Sequence, residues 1–214
     1  MQDQFLEVFF RSILAADFYL TGGTALARFY LHHRESVDLD LFTNAPTMDF
    51  DMVRKTVSTI QSDLGWTLVN QTSADNFLQS IYQDKTNMVL KVDVVRDIPI
   101  RFGEIKMENN VRLDTIKNIG SNKITAIFGR TDAKDFIDLY WITHQENRSF
   151  DELYALAQKK DLGITDVFYA YALEKIQSVE TFPVMLVPFD WNVIKQYFMD
   201  IATNLFQRAN PSRT

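Results

Sequence analysis

The sequence predicts an α+β fold, in which a mixed β-sheet with flanking helices over residues 1–113 is followed by an all-helical domain over residues 114–214. Short runs that alternate apolar and polar residues, as strands do, occur up to residue 113. Beyond that point, the apolar residues recur at helical spacing instead. A chain of 214 residues, of which 46% are hydrophobic, can bury a full core in one large domain or two small ones.

The first part contains three helical patterns and a larger number of strand patterns. Helices are predicted over residues 4–16, 25–31 and 50–64, and strands over residues 19–20, 37–42, 66–69, 77–83 and 88–95. The polar residues 84–87 indicate a hairpin turn, and a further hairpin is expected over residues 103–113, turning at Asn109 and Asn110. These strands form the predicted sheet.

The second part contains helices only. We predict them over residues 116–128, 133–143, 150–159, 166–178 and 192–208. Four of these segments directly follow a residue type that caps helix N-termini, namely Thr115, Asp132, Ser149 and Thr165.

Composition and charge exclude several classes of protein. The chain contains no cysteine, which excludes disulfides, thiolate metal sites and cysteine nucleophiles. The N-terminus lacks a basic and apolar leader, and no apolar run is long enough for a membrane span, so we expect a cytoplasmic protein without membrane contact. A net charge of −6 argues against a protein that clamps extended duplex DNA.

A glycine turn follows the first strand. Gly22 and Gly23 allow the backbone to approach a phosphate closely, and Thr24 can add a hydroxyl donor or cap the following helix. The free N–H groups at the start of that helix attract anions. Gly22, Gly23 and Thr24 are therefore predicted to bind nucleotide phosphates.

Three aspartates form the second candidate site. Asp38 and Asp40 alternate with apolar residues, so both are expected on one face of a strand. The later strand carries Lys91 and Asp93 on one face, and a hairpin could bring Asp93 beside the first pair. Neighbouring carboxylates repel unless a cation neutralises them, and Mg²⁺ prefers oxygen ligands. We predict that Asp38, Asp40 and Asp93 bind one or two Mg²⁺ ions.

A third group of charged residues lies on the predicted helices. Lys123 and Arg130 are seven residues apart and so share a helix face, and Asp135 and Asp138 follow on the next helix. Exposed helices with ordinary ion pairs often show such a pattern. The functional interpretation makes Lys123 and Arg130 the cations that hold a triphosphate, since three carboxylates alone would repel it.

Together these residues resemble the AbiEii/AbiGii toxin family of nucleotidyltransferases, within the polymerase-beta-like superfamily. The first motif begins at Gly22-Gly23-Thr24 and continues through His33-Arg34-x-Ser36-x-Asp38-Leu39-Asp40; the second comprises Lys123-x-x-Ala126 and Arg130-x-x-x-Lys134-Asp135-x-x-Asp138. Many members have serine after the glycine, where this chain has Gly23-Thr24.

The resemblance implies a minimal nucleotidyltransferase sheet over residues 1–113 and a helical domain over residues 114–214 that closes the nucleotide cleft. It assigns metal binding to Asp38 and Asp40, phosphate binding to Gly23 and Thr24, and an essential lysine to Lys123. The downstream aspartate of the family falls on Asp135 or Asp138, a choice that the sequence leaves open.

The function expected from this resemblance is Mg²⁺-dependent transfer of a nucleoside monophosphate from a nucleoside triphosphate to an acceptor hydroxyl, with release of pyrophosphate. Some relatives are toxins that modify the 3′ end of tRNA, which implies a tRNA acceptor and a cognate antitoxin. The alternatives are an antibiotic-type transferase that acts on a small molecule, and a catalytically silent binding module. His32 and His33 lack a third nearby imidazole in the sequence, so we expect surface or turn positions for both and no zinc site.

Overall fold

The computed structural model describes residues 1–146 and 148–210, and the chain divides into two compact units. The sheet unit contains Met1–Phe29 and Ser36–Thr115, and the helical unit contains Tyr30–Glu35 and Ile116–Thr214. The change of unit after Thr115 lies two residues beyond the predicted boundary. The segment Tyr30–Glu35 was expected in the first domain, but it belongs to the helical unit.

Within the described residues, seven strands form one mixed sheet in the order β3-β4-β5-β2-β1-β7-β6. The strands are β1 (Tyr19–Thr21), β2 (Leu39–Thr43), β3 (Thr67–Ala74), β4 (Phe77–Gln83), β5 (Val89–Arg96), β6 (Lys106–Glu108) and β7 (Val111–Leu113). β2 pairs with β5 in parallel, as β1 does with β7, and the other neighbours are antiparallel. The predicted fold class is confirmed.

The hairpin predicted over residues 103–113 is confirmed together with the position of its turn. The hairpin β6–β7 turns at Asn109 and Asn110, which have φ values of 49° and 63°. Asparagine tolerates this left-handed conformation better than most residues, so the turn has the residues it requires.

Among the helices of the sheet unit, α3 (Phe50–Leu64) has its predicted bounds, whereas the first two differ from the prediction. α1 (Gln2–Phe9) was expected to reach residue 16 but ends early. Beyond it, the Ser12 hydroxyl donates to the Phe9 carbonyl at 2.7 Å and accepts from Leu14 N at 3.2 Å. These local hydrogen bonds compete with helix continuation. α2 (Gly22–Leu26) continues as a π-helical turn, Ala27–Leu31, where a regular helix was predicted.

Alternating burial along β2 and β5 separates the core face of the sheet from its polar face. Leu39, Leu41, Val92 and Val94 are fully buried, whereas the intervening Asp40 and Asp93 are only partly buried. Burying these aliphatic side chains stabilises the sheet, and it directs the acidic residues to the other face.

The helical unit contains α4 (Ile116–Gly129), α5 (Ala133–Gln145), α6 (Phe150–Lys160), α7 (Asp166–Glu174) and α8 (Trp191–Ala209), with a 3₁₀ turn at Lys175–Ser178. Three of the four predicted N-caps are confirmed, since Asp132, Ser149 and Thr165 each accept a hydrogen bond from the first turn of the following helix. The hydroxyl of the fourth, Thr115, donates to the Phe102 carbonyl at 2.5 Å. Among the described residues, no helix is long and apolar enough to cross a membrane.

Candidate active site

The backbone at Gly22 lies directly against the Asp40 side chain. Gly22 has φ +68°, and a Cβ atom built there would lie 2.2 Å from Asp40 Oδ2. The antiparallel pairing of β1 with β2 causes this approach, because Thr21 is the Cα partner of Asp40. Only glycine allows both the positive φ and the close contact. Gly23, the next residue of the turn, is half-buried.

Thr24 ties this turn to the segment that leads into β2. Its side chain is fully buried, and its hydroxyl donates to the Asp38 carbonyl and lies 2.9 Å from Ser36 Oγ. This arrangement fixes the backbone of Asp38. These bonds give Thr24 a positioning role, and phosphate binding by the same residue stays a prediction.

The sheet brings Asp93 beside Asp40. β2 and β5 are parallel neighbours, and Asp40 and Asp93 are Cα partners in their register. Asp38 directly precedes β2, with its side chain 36% exposed, whereas that of Asp93 is 16% exposed. The three aspartates predicted to bind metal therefore lie on two adjoining chain segments.

Lys91 interacts with two of these carboxylates. Its Nζ lies 2.9 Å from Asp38 Oδ2 and 3.4 Å from Asp93 Oδ2. Burial alone would lower the pKa of Lys91, but the hydrogen bond to Asp38 and the charges of Asp93, Asp38 and Asp40 outweigh it and raise the pKa. The sequence placed Lys91 on the same face as Asp93 but gave no indication of this ion pair with Asp38, which lies 53 positions earlier in the chain.

A second cluster of charges lies in the helical unit and centres on Asp138. This carboxylate accepts from Arg34 Nε and Nη2, both at 2.7 Å, and lies 2.8 Å from His33 Nε2 and 2.6 Å from Lys123 Nζ. Lys123 Nζ also lies 2.8 Å from Asp135 Oδ1, and Arg130 Nε donates to Asp135 Oδ2 at 2.7 Å. We call these six residues the buried charge network.

Mutual pairing keeps Asp135, Asp138 and Lys123 ionised despite their burial. Burial opposes the charge of Asp138, but Lys123, Arg34 and His33 outweigh it and hold its pKa well below the usual range. The pKa of Asp135 is lowered against the same opposition by Lys123 and Arg130. The pKa of Lys123 is raised, because the two carboxylates outweigh its burial and the charge of Arg34.

Two members of this network, Lys123 and Arg130, are the residues predicted to hold phosphates. Lys123 has a side chain only 7% exposed and is paired with both Asp135 and Asp138, whereas the Arg130 side chain is 55% exposed. Both aspartates contact Lys123, so these contacts do not show which of the two is the downstream aspartate of the family pattern.

His33 was expected at a surface or turn, but this expectation is wrong, because the side chain is fully buried against Asp138. His33 and Arg34 were part of the family pattern, which was the one signal that could have drawn attention to them.

Comparison with known protein families shows which family this chain belongs to. Residues 4–183 match the family model described as "Nucleotidyl transferase AbiEii toxin, Type IV TA system". The chain belongs to the AbiEii family. The nucleotidyltransferase resemblance seen in the sequence is thereby confirmed, as is membership in a toxin–antitoxin family.

Solved structures share the fold of this AbiEii-family chain. A candidate nucleotidyltransferase from H. pylori has a TM-score of 0.64 at 17% identity, covering 100% of this chain and 95% of the other. JHP933 from Helicobacter pylori has a TM-score of 0.62 at 18% identity, with coverages of 97% and 89%. MenT4, a nucleotidyltransferase toxin from Mycobacterium tuberculosis H37Rv, has a TM-score of 0.55 at 13% identity, with coverages of 95% and 82%.

One sequence relative is the uncharacterized protein aq_aa25 of Aquifex aeolicus (strain VF5). It is 28% identical over 151 residues, which is 67% of this chain and 66% of that protein. The match thus spans slightly less than two thirds of the Aquifex protein.

The aspartates of the sheet unit fit a divalent cation such as Mg²⁺ by their chemistry. Carboxylate oxygens are its preferred protein ligands. Among the residues that the structure describes, Asp93 Oδ1 is buried without a hydrogen-bond partner, which is costly for a carboxylate unless a cation or water satisfies it. Among residues 1–146 and 148–210, no three acidic or imidazole side chains lie close enough together to hold a metal ion as they stand. Lys91 lies between two of the candidate ligands.

Proposed function

We propose that this AbiEii-family protein is a Mg²⁺-dependent nucleotidyltransferase that moves a nucleoside monophosphate from a nucleoside triphosphate to an acceptor hydroxyl. The observation that carries the proposal is the register of β2 and β5, which sets Asp40 beside Asp93 while the Gly22 turn lies against Asp40. A phosphate-binding turn beside paired carboxylates suits phosphoryl chemistry.

In this proposal, Asp38, Asp40 and Asp93 hold one or two Mg²⁺ ions. Bound Mg²⁺ supplies positive charge that favours ionisation of the attacking hydroxyl and stabilises the pyrophosphate leaving group. The backbone of Gly22 and Gly23 approaches the phosphates, and Thr24 keeps the Asp38 backbone in position. Nucleotide binding by Lys123 and Arg130 stays a separate prediction, since Lys123 has two carboxylate partners already.

The reaction forms a bond between the acceptor oxygen and the α-phosphorus and breaks the bond from that phosphorus to the pyrophosphate. The proton of the acceptor hydroxyl must go to a base. We assign this role to the carboxylate of Asp93, because its Oδ1 has no hydrogen-bond partner among the described residues.

For the acceptor, we propose the 3′ end of tRNA, with action as a toxin in the cytoplasm and neutralisation by a cognate antitoxin. Membership in a type IV toxin–antitoxin family supports this choice. A small-molecule acceptor is the second candidate, and it is favoured by the net charge of −6, which disfavours broad contact with RNA phosphates.

Transfer with nucleotides labelled on the α-phosphate tests the proposal. Each of the four nucleoside triphosphates is incubated with Mg²⁺, the protein and either total tRNA or a panel of hydroxyl-bearing antibiotics. We expect label on the acceptor from the α-position and none from the γ-position, because nucleotidyl transfer releases the β- and γ-phosphates. Label on tRNA supports the toxin assignment, and label on an antibiotic supports the second candidate.

Matched variants make the result specific. Asp40→Asn removes a ligand charge with little change in size and should abolish labelling, whereas the exposed Asp63→Asn on α3 should label as the wild type does. Absence of label on tRNA, antibiotics and the protein itself, from a preparation that binds nucleotide, contradicts the proposed activity.

A further inference from the structure

The Lys91 ammonium lies where the candidate ligand oxygens converge. Its Nζ contacts Oδ2 of Asp38 at 2.9 Å and Oδ2 of Asp93 at 3.4 Å. We propose that Lys91 is an internal counter-cation, which neutralises Asp38 and Asp93 when no divalent cation is bound and gives up these contacts when one binds. The inference rests on the proposed function, since it takes these carboxylates as cation ligands.

The backbone explains why Lys91 reaches both aspartates. Lys91 precedes Asp93 by two residues on β5, so the two side chains leave the sheet on the same face. The parallel register pairs Val92 with Leu39, which sets Lys91 opposite the residue that precedes β2, namely Asp38. The contact is therefore built into the sheet.

The Lys91 side chain is exposed enough to leave the two aspartates and turn toward solvent. Its side chain is 33% exposed, and that of Asp38 is 36% exposed, so the flexible lysine stem can turn toward water. Lys123 provides the contrast, because its side chain is 7% exposed and its partners Asp135 and Asp138 are fully buried. Lys91 can be displaced by a competing cation, whereas Lys123 is enclosed.

Charge balance shows why displacement is favourable. One ammonium faces the charges of Asp38, Asp40 and Asp93, and it leaves Asp93 Oδ1 without a hydrogen-bond partner in the described part of the chain. A divalent cation brings twice the charge and can bind further oxygens. Because two cations at the same oxygens repel, Lys91 should weaken divalent-cation binding.

Binding of Mn²⁺ alone, followed by electron paramagnetic resonance at low ionic strength, tests this inference without nucleotide or activity. Lys91→Met keeps the apolar stem and removes the charge, and we expect it to bind Mn²⁺ about three- to tenfold more tightly than the wild type. Lys91→Arg keeps the charge and should not tighten binding. Lys85→Met, at the exposed turn between β4 and β5, is the matched control for loss of one positive charge and should bind as the wild type does.

Thermal unfolding provides the second readout. Without metal, Lys91→Met should have a lower Tm than the wild type, because Asp38 and Asp93 lose their shared counter-charge, and saturating Mn²⁺ should remove most of this difference. A Tm loss that is equal with and without Mn²⁺, or unchanged or weaker Mn²⁺ binding by Lys91→Met, overturns the counter-cation role.

The outcomes separate this inference from the proposed function. Tighter Mn²⁺ binding by Lys91→Met in a protein that transfers no nucleotide supports the inference and contradicts the proposed activity. Normal nucleotide transfer together with unchanged Mn²⁺ binding by Lys91→Met contradicts the inference and supports the proposed activity. If neither the wild type nor Lys91→Met binds Mn²⁺, the counter-cation role is overturned, and the transfer assay alone decides the proposed activity, because nucleotide phosphates can complete the metal site of a transferase.

Discussion

Gly22 lies so close to Asp40 that a single added carbon at Gly22 would come within 2.2 Å of Asp40 Oδ2. The turn that was predicted to bind phosphate and the carboxylate that was predicted to bind metal are therefore one packed unit. Any change that moves the turn also moves the carboxylate.

Gly22→Ala should reduce nucleotide transfer on the order of 100-fold, because the new methyl group displaces the Asp40 carboxylate. Gly65→Ala is the matched control, since Gly65 has nearly the same φ, +65°, but no described atom lies within 4 Å of a Cβ built there. Each variant should lose about 1–2 kcal/mol of stability from the left-handed backbone. Equal activity of the two variants in the labelling assay argues against the contact with Asp40.

Thr24 should be needed for its hydroxyl rather than for its methyl group. Thr24→Val removes the hydroxyl that donates to the partly buried Asp38 carbonyl, to which Gln2 Nε2 donates only at 3.5 Å, and should cost about 1–3 kcal/mol in urea unfolding, with reduced transfer. Thr24→Ser keeps the donor and should retain most of the activity, in agreement with the serine found in many family members. If Thr24→Val transfers nucleotide as well as Thr24→Ser, the positioning role is wrong.

Loss of Lys123 should destabilise the protein strongly. Lys123→Met leaves Asp135 and Asp138 buried with less counter-charge and should reduce the free energy of unfolding by about 3–5 kcal/mol. Lys117→Met, which removes a pair with Glu152 in which both side chains are about one-third exposed, should cost less than about 1 kcal/mol. Denaturation in urea measures both values, and comparable losses would show that burial of the network contributes little.

The network should also make stability depend on acidic pH. Asp135 and Asp138 have pKa values lowered by folding, so they stabilise the protein above their unfolded pKa of about 3.9 and this contribution is lost as pH falls below it. The free energy of unfolding should be steady near about pH 6 and fall steeply below about pH 4. Arg34→Met, if folded, should show a smaller fall, since it weakens the pairing that lowers the pKa of Asp138. A stability that does not change between about pH 5 and pH 3 contradicts this role.

Local sequence patterns predicted much of the fold because they depend on neighbouring residues. α3 has its predicted bounds, since Asp49 caps its start and Gly65 ends it in the left-handed conformation. The β6–β7 turn likewise follows from its two asparagines. The register that sets Asp93 beside Asp40 was anticipated from the hairpin β4–β5, although local patterns alone do not specify register.

The remaining features depend on contacts between residues far apart in the chain. Arg34 and Asp138 are separated by 104 positions, so the burial of His33 and Arg34 could not be seen from the pattern around them. The passage of Tyr30–Glu35 into the helical unit depends on the same long-range pairing. The local signal at Lys123 suggested a phosphate-binding cation, and only the folded chain reveals its two carboxylate partners.

The most direct test of the account is transfer of α-labelled nucleotide to tRNA by the wild type and by Asp93→Asn. Asp93 is the residue that the fold, and not the first sequence motif, sets beside Asp40. We predict labelled tRNA with the wild type and at least about a 100-fold lower rate with Asp93→Asn at unchanged Tm. Equal rates for the two proteins would contradict the assignment of this site.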